Sequence, residues 1–218
     1  MAGLPADENP ICSVYYQKGD KIMVAIIDYG AGNLHSVKNA LDFLGAENCI
    51  TGDPDAILSA DRVILPGVGA FGDAMAQLQS SGLDRTIRAV AESGKPLLGI
   101  CLGLQLMFEE SEESPGVQGL GIFRGKCVKI PDHGLKIPHM GWNSLELAKN
   151  SRILSESYVY FVHSYYLTTE DTEIISAYTE YGERLAVAVE RDNIFATQFH
   201  PEKSGTAGME ILKRFINL

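Results

Sequence analysis

The segment from residue 98 to residue 103 constrains the fold of this 218-residue chain most. Apolar strand formers run up to Cys101, a helix-compatible stretch follows, and Gly99 and Gly103 flank the cysteine. A side chain on a sharp strand-to-helix turn needs very small neighbours, and the turn exposes it above the sheet edge. The helix N-terminus also favours a thiolate and offers N–H groups to an oxyanion. The pattern therefore predicts a nucleophile at Cys101.

The other cysteines carry no such signal. Cys12, Cys49 and Cys127 are interpreted as small buried hydrophobic residues, the commonest state of an unpaired cysteine. The four cysteines show neither C-x-x-C spacing nor the density of a disulfide framework. This usage favours a reducing, cytoplasmic setting.

A candidate base for the thiol follows a buried strand near the end of the chain. The strand Ile194–Phe199 runs directly into His200, and Pro201 favours an extended backbone there. Residues two apart in an extended segment project to the same side, so the Glu202 carboxylate is expected to orient the His200 ring. Because His200 and Cys101 both follow strands, they are expected at the same edge of a parallel sheet.

The first half of the chain alternates predicted strands and helices. Strands are predicted at Ile22–Asp28, Glu47–Ile50, Arg62–Leu65 and Pro96–Ile100. Helices are predicted at Asn33–Leu44, with Asn33 as N-cap, at Phe71–Glu92 and at Leu102–Glu110. Such alternation predicts a mostly parallel sheet with helices on both faces.

The second half is richer in strands. After Ser111, β-like segments are predicted at Cys127–Ile130, Tyr158–Thr168, Glu173–Tyr178 and Leu185–Val189, and a last helix at Thr206–Ile216. We expect these strands to extend the same sheet in antiparallel fashion, giving one α/β domain from 21 to 218. Residues 1–20 are polar, with two prolines, and are expected to form a leader of unknown role.

The charge balance argues against two classes of partner, and the hydropathy argues against a membrane-spanning segment. The 18 basic and 28 acidic residues give a net charge of −10, which argues against nucleic acid and anionic membrane surfaces. No apolar run is long enough to span a bilayer, and the N-terminus lacks the features of a signal peptide.

The loop from Gly67 to Gly72 has two competing interpretations. It matches the dinucleotide fingerprint G-x-G-x-x-G, but the next strand ends in Cys101 instead of the acid that a Rossmann site needs. We interpret Gly67, Val68 and Gly69 as part of an oxyanion hole shared with the Leu102 N–H. A tight helix-entry turn without catalytic role remains the alternative.

No metal site is expected. His133 and His139 flank a predicted loop without the spacing or acidic partners of a zinc site, so they are interpreted as surface or hydrogen-bonded histidines.

Taken together, these motifs resemble the class I (triad-type) glutamine amidotransferases, and among them most closely the glutaminase subunits of imidazole glycerol phosphate synthase. Shared with the whole class are Gly99-x-Cys101-x-Gly103-x-Gln105 and His200-x-Glu202. Five further blocks match those subunits more specifically: Asp28–Leu34, Pro66–Gly72, Pro138–Asn143, Phe161–Tyr165 and Phe199–Ser204. The resemblance begins at about Lys21, and it implies a flavodoxin-like fold and no cofactor.

The resemblance implies hydrolysis of L-glutamine to glutamate and ammonia by a triad of Cys101, His200 and Glu202. Gln105 and Glu109 lie one and two turns into the predicted helix, on the side of Cys101, and are expected to hold the α-amino and α-carboxylate groups. In similar proteins the segment His163, Ser164 and Tyr165 adds contacts to glutamine.

The resemblance also implies a heterodimer with a cyclase subunit that has a (β/α)8 barrel. The ammonia would help convert PRFAR to imidazole glycerol phosphate and AICAR in L-histidine biosynthesis. Candidate contact residues are Asn33, Met140, Trp142 and Tyr160. Aromatic anchors are enriched at partner contacts, and a lone tryptophan in a loop belongs more often to an interface or a core than to catalysis. Arg191 is expected near the same rim.

Three alternatives remain open. The chain could be the glutaminase subunit of another synthase, a γ-glutamyl or other cysteine hydrolase, or a catalytically silent interaction subunit. Labelling of the thiol that glutamine prevents would distinguish these alternatives.

Overall fold

A computed structural model describes residues 22–218. Its helices and strands, in chain order, are β1 (Met23–Ile27), α1 (Leu34–Phe43), β2 (Glu47–Thr51), α2 (Pro54–Ser59), β3 (Arg62–Gly67), α3 (Phe71–Ser81), α4 (Leu83–Glu92), β4 (Leu97–Cys101), α5 (Leu102–Leu106), β5 (Glu110–Ser111), β6 (Lys126–Lys129), β7 (His139–Ser144), β8 (Glu146–Leu147), β9 (Tyr158–His163), β10 (Tyr165–Thr168), β11 (Ile175–Glu180), β12 (Arg184–Arg191), β13 (Ile194–Thr197) and α6 (Gly205–Ile216). The expected leader, residues 1–20, lies outside the described residues.

A parallel sheet forms the centre of the fold. Its strands lie in the order β2-β1-β3-β4-β13, and every neighbouring pair in this series is parallel. Beyond β13 the sheet continues through β12, β10 and β6, each antiparallel to the strand before it. The predicted α/β class, a mostly parallel sheet with antiparallel additions, is confirmed.

Each face of the sheet is covered by its own hydrophobic core, because successive strand residues point to opposite faces. In β1, Ala25 and Ile27 pack on the face covered by α2, α3, α4 and α5, whereas Val24 and Ile26 pack against α1 and α6. All five residues of β1 are buried, which is typical of a strand covered on both faces.

Two predicted helices differ from those observed. The helix expected over Phe71–Glu92 is interrupted at Gly82, whose φ of 74° places it in the left-handed region, and it forms α3 and α4. The helix expected over Leu102–Glu110 ends at Leu106. The chain leaves it there and buries Phe108 against Phe123, with ring centroids 5.7 Å apart. The short helix α2 was not predicted.

A two-stranded hairpin was also missed. The predicted loop around His139 is strand β7, which pairs antiparallel with β9 from His139 opposite His163 to Ser144 opposite Tyr158. The single strand expected over Tyr158–Thr168 divides at Ser164, since β9 belongs to this hairpin and β10 to the main sheet. The hairpin brings Val162 to the carboxyl end of β4, where its carbonyl lies 3.9 Å from Cys101 Sγ.

The structural cysteines agree with the sequence interpretation only in part. Cys127 is a buried free thiol, as expected. Cys49 is buried, but it takes part in a disulfide bond, so its interpretation as an unpaired cysteine is wrong.

Candidate active site

Cys101 ends β4 and immediately precedes α5 in a strained backbone conformation. Its φ of 55° and ψ of −109° are uncommon for a residue with a side chain. The flanking glycines are sterically required. A Cβ at Gly99 would lie 2.9 Å from the Gly103 carbonyl oxygen, and one at Gly103 would overlap the Leu65 carbonyl oxygen. The predicted strand-to-helix turn is therefore present at Cys101.

His200 emerges at the same edge of the sheet. Strands β4 and β13 are parallel neighbours, with Thr197 in register with Ile100, so the residues that follow them share one edge. The His200 N–H donates to the carbonyl of Tyr160 at 3.0 Å, which ties the residue to the hairpin. Cys101 and His200 line one pocket, as the sequence predicts.

Glu202 holds the other side of the His200 ring. The Nδ1–H of His200 donates to Glu202 Oε1 at 2.8 Å, and both side chains are almost completely buried. His200 is extended, as expected, but Glu202 lies in a short 3₁₀ turn at Pro201–Lys203. The predicted contact is present, although a turn and not an extended segment produces it.

The environment of His200 stabilises its protonated form. Burial lowers the pKa of the imidazole, but interactions with the Cys101 sulfur and the Glu202 carboxylate outweigh burial and raise the pKa to about 9. Its Nε2 atom has no hydrogen-bond partner among the described residues. That nitrogen is thus available to exchange a proton with the thiol or with a bound molecule.

The pocket at this edge has a volume of about 350 Å³, within the range of small-molecule sites. Most of the side chains predicted to bind substrate contribute to its walls. Besides Cys101 and His200, the predicted residues in the lining are Val68, Gly69, Leu102, Gln105, His163, Ser164 and Tyr165.

The Gly67 loop lies beside the nucleophile. Gly67 is in register with Cys101 across β3 and β4, and Val68 and Gly69 continue from it into the pocket wall. The φ of Gly69 is 99°, a conformation that favours glycine. Leu102 opens α5, so its N–H has no acceptor within the helix. The loop and the start of α5 thus lie beside the nucleophile, and their role as an oxyanion hole stays a prediction.

Of the two residues predicted to hold the amino-acid end of glutamine, only Gln105 lies in the pocket. The expected position of Glu109 is wrong. Because α5 ends at Leu106, residue 109 no longer follows the helix face below Cys101. Its carboxylate instead accepts from the Gly125 N–H at 2.8 Å and lines a separate groove.

The hairpin contributes two buried histidines to the site. Burial lowers the pKa of His163 to about 3, with the charges of His139 and His200 acting in the same direction and a hydrogen bond to the Tyr165 carbonyl opposing them. Burial also lowers the pKa of His139 to about 4. His139 is hydrogen-bonded, in agreement with one of the two interpretations offered for it. Both rings are therefore neutral near pH 7.

Other pocket residues were not singled out from the sequence. Glu113 lines the pocket, and its Oε2 accepts from the Phe71 N–H at 2.8 Å. Pro138, Val162 and Lys203 also contribute to the lining. Pro138 and Val162 lie in blocks that carry the family resemblance, which was the available signal. No local pattern marks Glu113.

The residues expected to contact a partner have mixed exposure. Met140 and Trp142 are 58% and 56% exposed, and they lie two apart on β7. Trp142 contacts Tyr160 edge to face, with centroids 6.2 Å apart. Asn33 is half-buried at the N-cap of α1, but its side chain makes no capping hydrogen bond.

The expectation for Arg191 is wrong. Arg191 pairs with Ile194, which is in register with Leu97 at the start of β4, four residues before Cys101. At about 3.3 Å per residue, this places Arg191 roughly 13 Å from the catalytic edge. Its guanidinium packs over Phe123 instead.

Within residues 22–218, no group of three acidic, histidine or cysteine side chains could hold a metal ion. The helices of this described part include none with the length and apolar character of a membrane span.

Comparisons with known proteins show what the chain is similar to. Residues 25–218 match the family model of glutamine amidotransferase class-I. The chain is 50% identical over 199 residues to the imidazole glycerol phosphate synthase subunit HisH of Methanothermobacter thermautotrophicus, covering 90% of this chain and 98% of that one. With the subunit of the same name from Moorella thermoacetica it shares 52% identity over 196 residues, covering 88% and 93%.

Solved structures share the fold at lower identity. The structure of PurLQS from Thermotoga maritima gives a TM-score of 0.73 at 20% identity, covering 90% of this chain and 98% of that one. A crystal structure of a glutamine amidotransferase gives a TM-score of 0.71 at 21% identity, covering 89% of this chain and 97% of that one.

Proposed function

The chain belongs to the class I glutamine amidotransferase family, and we propose that it is the glutaminase subunit of an imidazole glycerol phosphate synthase in L-histidine biosynthesis. One observation carries the proposal most directly. Cys101 and His200 line a single pocket, and the Glu202 carboxylate lies 2.8 Å from the far nitrogen of the His200 ring. A nucleophile, a base and a group that orients the base are the parts that acyl transfer needs.

The first half-reaction begins with the proton of the Cys101 thiol on His200 Nε2, in keeping with the raised pKa of about 9 of the imidazole. The sulfur attacks the side-chain amide carbon of glutamine, and the amide oxygen becomes an oxyanion. The N–H groups of Leu102 and of the Val68–Gly69 segment are the donors for that charge. The imidazolium then donates its proton to the amide nitrogen, ammonia leaves, and a γ-glutamyl thioester remains.

In the second half-reaction, the neutral His200 takes a proton from water. The resulting hydroxide attacks the thioester carbon, the carbon–sulfur bond breaks, and glutamate leaves with the oxygen from water. Glu202 stabilises the imidazolium in both steps. All of these groups belong to the protein, so the reaction requires no cofactor.

The polar walls of the pocket suit the amino-acid end of L-glutamine. The Gln105 amide oxygen and the Glu113 carboxylate can accept from its α-ammonium group, and the Ser164 hydroxyl can donate to its α-carboxylate. Glu113 replaces Glu109 in this role because only Glu113 lies in the pocket.

Released ammonia has biosynthetic use only if a second active site receives it. We propose a heterodimer with a cyclase of (β/α)8 barrel fold that converts PRFAR to imidazole glycerol phosphate and AICAR. The exposed side chains of Met140 and Trp142 on the hairpin, next to Tyr160, support a docking surface close to the pocket. The cytoplasm fits this role, because Cys101 must remain reduced to react.

The test compares wild type with Cys101→Ser, each co-purified with the cyclase. Wild type should release glutamate from glutamine, faster when the cyclase ligand is present. Cys101→Ser should lose that activity, while the complex still forms imidazole glycerol phosphate from added ammonium. Glutamate release by Cys101→Ser near the wild-type rate would exclude Cys101 as the nucleophile. Full glutaminase activity without any partner would favour an independent hydrolase.

A further inference from the structure

Gln198, directly after β13, is a completely buried polar residue beside the nucleophile. A buried amide is costly unless its polar atoms are hydrogen-bonded. Both ends of this side chain have partners. Its Oε1 accepts from Gln105 Nε2 at 3.1 Å, and its Nε2 donates to Cys101 Sγ at 3.7 Å. Gln198 therefore connects a substrate-facing residue to the reacting sulfur.

The direction of these hydrogen bonds is fixed by a backbone group. The Tyr165 carbonyl can only accept, and Gln105 Nε2 lies 3.4 Å from it. Gln105 thus presents its NH₂ group to Tyr165, and the second N–H of that group points to Gln198 Oε1. With its oxygen engaged in this way, Gln198 must turn its own NH₂ group towards Cys101.

At the sulfur, this arrangement favours the negatively charged form. A hydrogen bond from a neutral donor strengthens when its acceptor is charged. The titratable groups that interact with the sulfur are the His200 imidazole and the Tyr29 hydroxyl. The Val162 carbonyl at 3.9 Å can accept from a thiol but cannot donate to a thiolate. The amide of Gln198 supplies a neutral N–H donor to the sulfur anion, in addition to the His200 imidazolium.

At the substrate, the same side chain controls Gln105. Because both N–H groups of Gln105 are engaged by Gln198 and Tyr165, its Oε1 is the atom left for a bound molecule. A carbonyl oxygen there accepts from an ammonium group, whereas a flipped amide would present N–H groups to it. Gln198 thereby determines which end of Gln105 faces the pocket.

We propose that Gln198 is a positioning residue that stabilises the Cys101 thiolate through Nε2 and presents Gln105 Oε1 to the α-ammonium group of the substrate. This inference rests on the proposed glutaminase function. It assigns two separable effects to one side chain, one on the nucleophile and one on substrate binding.

The test uses the full chain with its cyclase and two variants, Gln198→Leu and Gln198→Glu. Gln198→Leu removes both hydrogen bonds. Gln198→Glu keeps the shape and the acceptor for Gln105, but it places a carboxylate against the sulfur. The matched control is Gln79→Leu, which removes an exposed amide from α3. The rate of Cys101 alkylation by iodoacetamide is measured against pH, and kcat and KM for glutamine are measured separately.

Removing a hydrogen bond to a charged group changes an equilibrium about tenfold or more. In Gln198→Leu we expect the midpoint of the alkylation profile to move up by about one pH unit and the KM to rise about tenfold. In Gln198→Glu the midpoint should move further, with a smaller effect on KM. In a Gln105→Leu background, Gln198→Leu should no longer change KM but should still move the alkylation profile.

An alkylation profile that matches wild type in both Gln198 variants would overturn the inference. Gln198→Glu preserves the side-chain shape and serves if the leucine variant fails to fold. The outcome is separable from that of the proposed function, because alkylation requires no glutamine. If wild type and Gln79→Leu hydrolyse glutamine while the Gln198 variants behave like them, the function stands and the inference fails.

Discussion

The Nδ1 atom of His139 lies 3.0 Å from the Nε2 atom of His163, and both rings are buried. The Nδ1–H of His163 donates to the Tyr165 carbonyl at 2.9 Å, so its Nε2 is the acceptor in the pair. His139 therefore donates from Nδ1, and its Nε2 accepts from Asn143 Nδ2 at 3.4 Å. A single set of tautomers satisfies this chain, which links the hairpin to the carbonyl that Gln105 also contacts.

This histidine pair should make the fold sensitive to mild acid. The folded pKa values of about 4 for His139 and about 3 for His163 lie below the ordinary value of 6.5. Below about pH 6.5 the unfolded chain binds more protons than the folded chain, so the free energy of unfolding falls down to about pH 4. Each ring contributes up to about 1.4 kcal/mol per pH unit. Urea unfolding at a series of pH values measures the slope.

His139→Gln provides the comparison for this slope. Its amide can still donate to His163, but position 139 no longer titrates. The free energy of unfolding of this variant should depend less steeply on pH, because unfolding takes up about one proton fewer. Identical slopes for the variant and wild type would contradict a neutral buried His139.

Glu202→Gln keeps the base His200 but removes the carboxylate that orients it, so this variant measures the contribution of the carboxylate alone. The neutral amide removes the carboxylate that raises the His200 pKa, and kcat should fall about 10²–10⁴-fold. In wild type, the folded pKa of about 9 exceeds the ordinary value of 6.5, so this stabilisation is complete below pH 6.5 and is lost as the pH rises towards 9. The variant should lose less stability over that range.

The control for that change is Glu210→Gln on α6, which removes an exposed partner of Arg214. Its kcat and its alkaline stability should match wild type within error. A Glu202→Gln enzyme with wild-type kcat would show that the carboxylate does not assist the base.

Gly103→Ala should destabilise the fold although alanine is the better helix former. Helix propensity alone favours alanine by about 1 kcal/mol. Because the new Cβ would overlap the Leu65 carbonyl oxygen, we expect a net loss of about 1–3 kcal/mol and reduced glutaminase activity. Thermal unfolding and glutamate release measure the two effects.

Gly121→Ala tests backbone strain without the clash. Gly121 has a φ of 63°, and a Cβ added to it would have no other residue within 4 Å apart from its chain neighbours. We expect a loss of about 1 kcal/mol with activity retained. If Gly103→Ala is as stable as wild type, the close packing of α5 on β3 is not required.

Trp142→Ala should weaken the complex with the cyclase while leaving the isolated chain folded. The side chain is 56% exposed, so its removal creates no internal cavity. As an aromatic anchor at an interface it should contribute about 2 kcal/mol, or about 30-fold in Kd, measured by calorimetry. The control is Phe43→Ala at the end of α1, which is 79% exposed and distant in sequence from the hairpin. Equal losses in both variants would argue against a docking role specific to Trp142.

The parallel core and the position of the nucleophile were predictable because their signals are local. Alternating apolar segments indicate strands and helices, and glycines on both sides of Cys101 indicate the turn. The hairpin was not predictable in this way. His139, Asn143 and Ser144 make β7 resemble a polar loop, yet pairing with β9 makes it a strand.

The polar residues beside the triad could not be predicted for a similar reason. Glu113 reaches the pocket from a segment without a local motif, and Gln198 owes its importance to partners 93 and 97 residues earlier in the chain. Glu109 shows the opposite error. Helical spacing would place Glu109 below Cys101 only if α5 continued to residue 109. The helix ends at Leu106 instead, and Phe108 is buried in the segment that follows.

The strained backbone of Cys101 lowers the stability of the fold at the same position that provides the reactive sulfur. A left-handed conformation at a residue with a side chain costs about 1–3 kcal/mol, which the rest of the molecule must offset. Glycine at position 101 would adopt this conformation without the steric cost, but the sulfur would be lost. In a descendant protein that no longer needs the reaction, replacing Cys101 by glycine would therefore increase the free energy of unfolding. Position 101 is where we expect such a stabilising substitution to appear first.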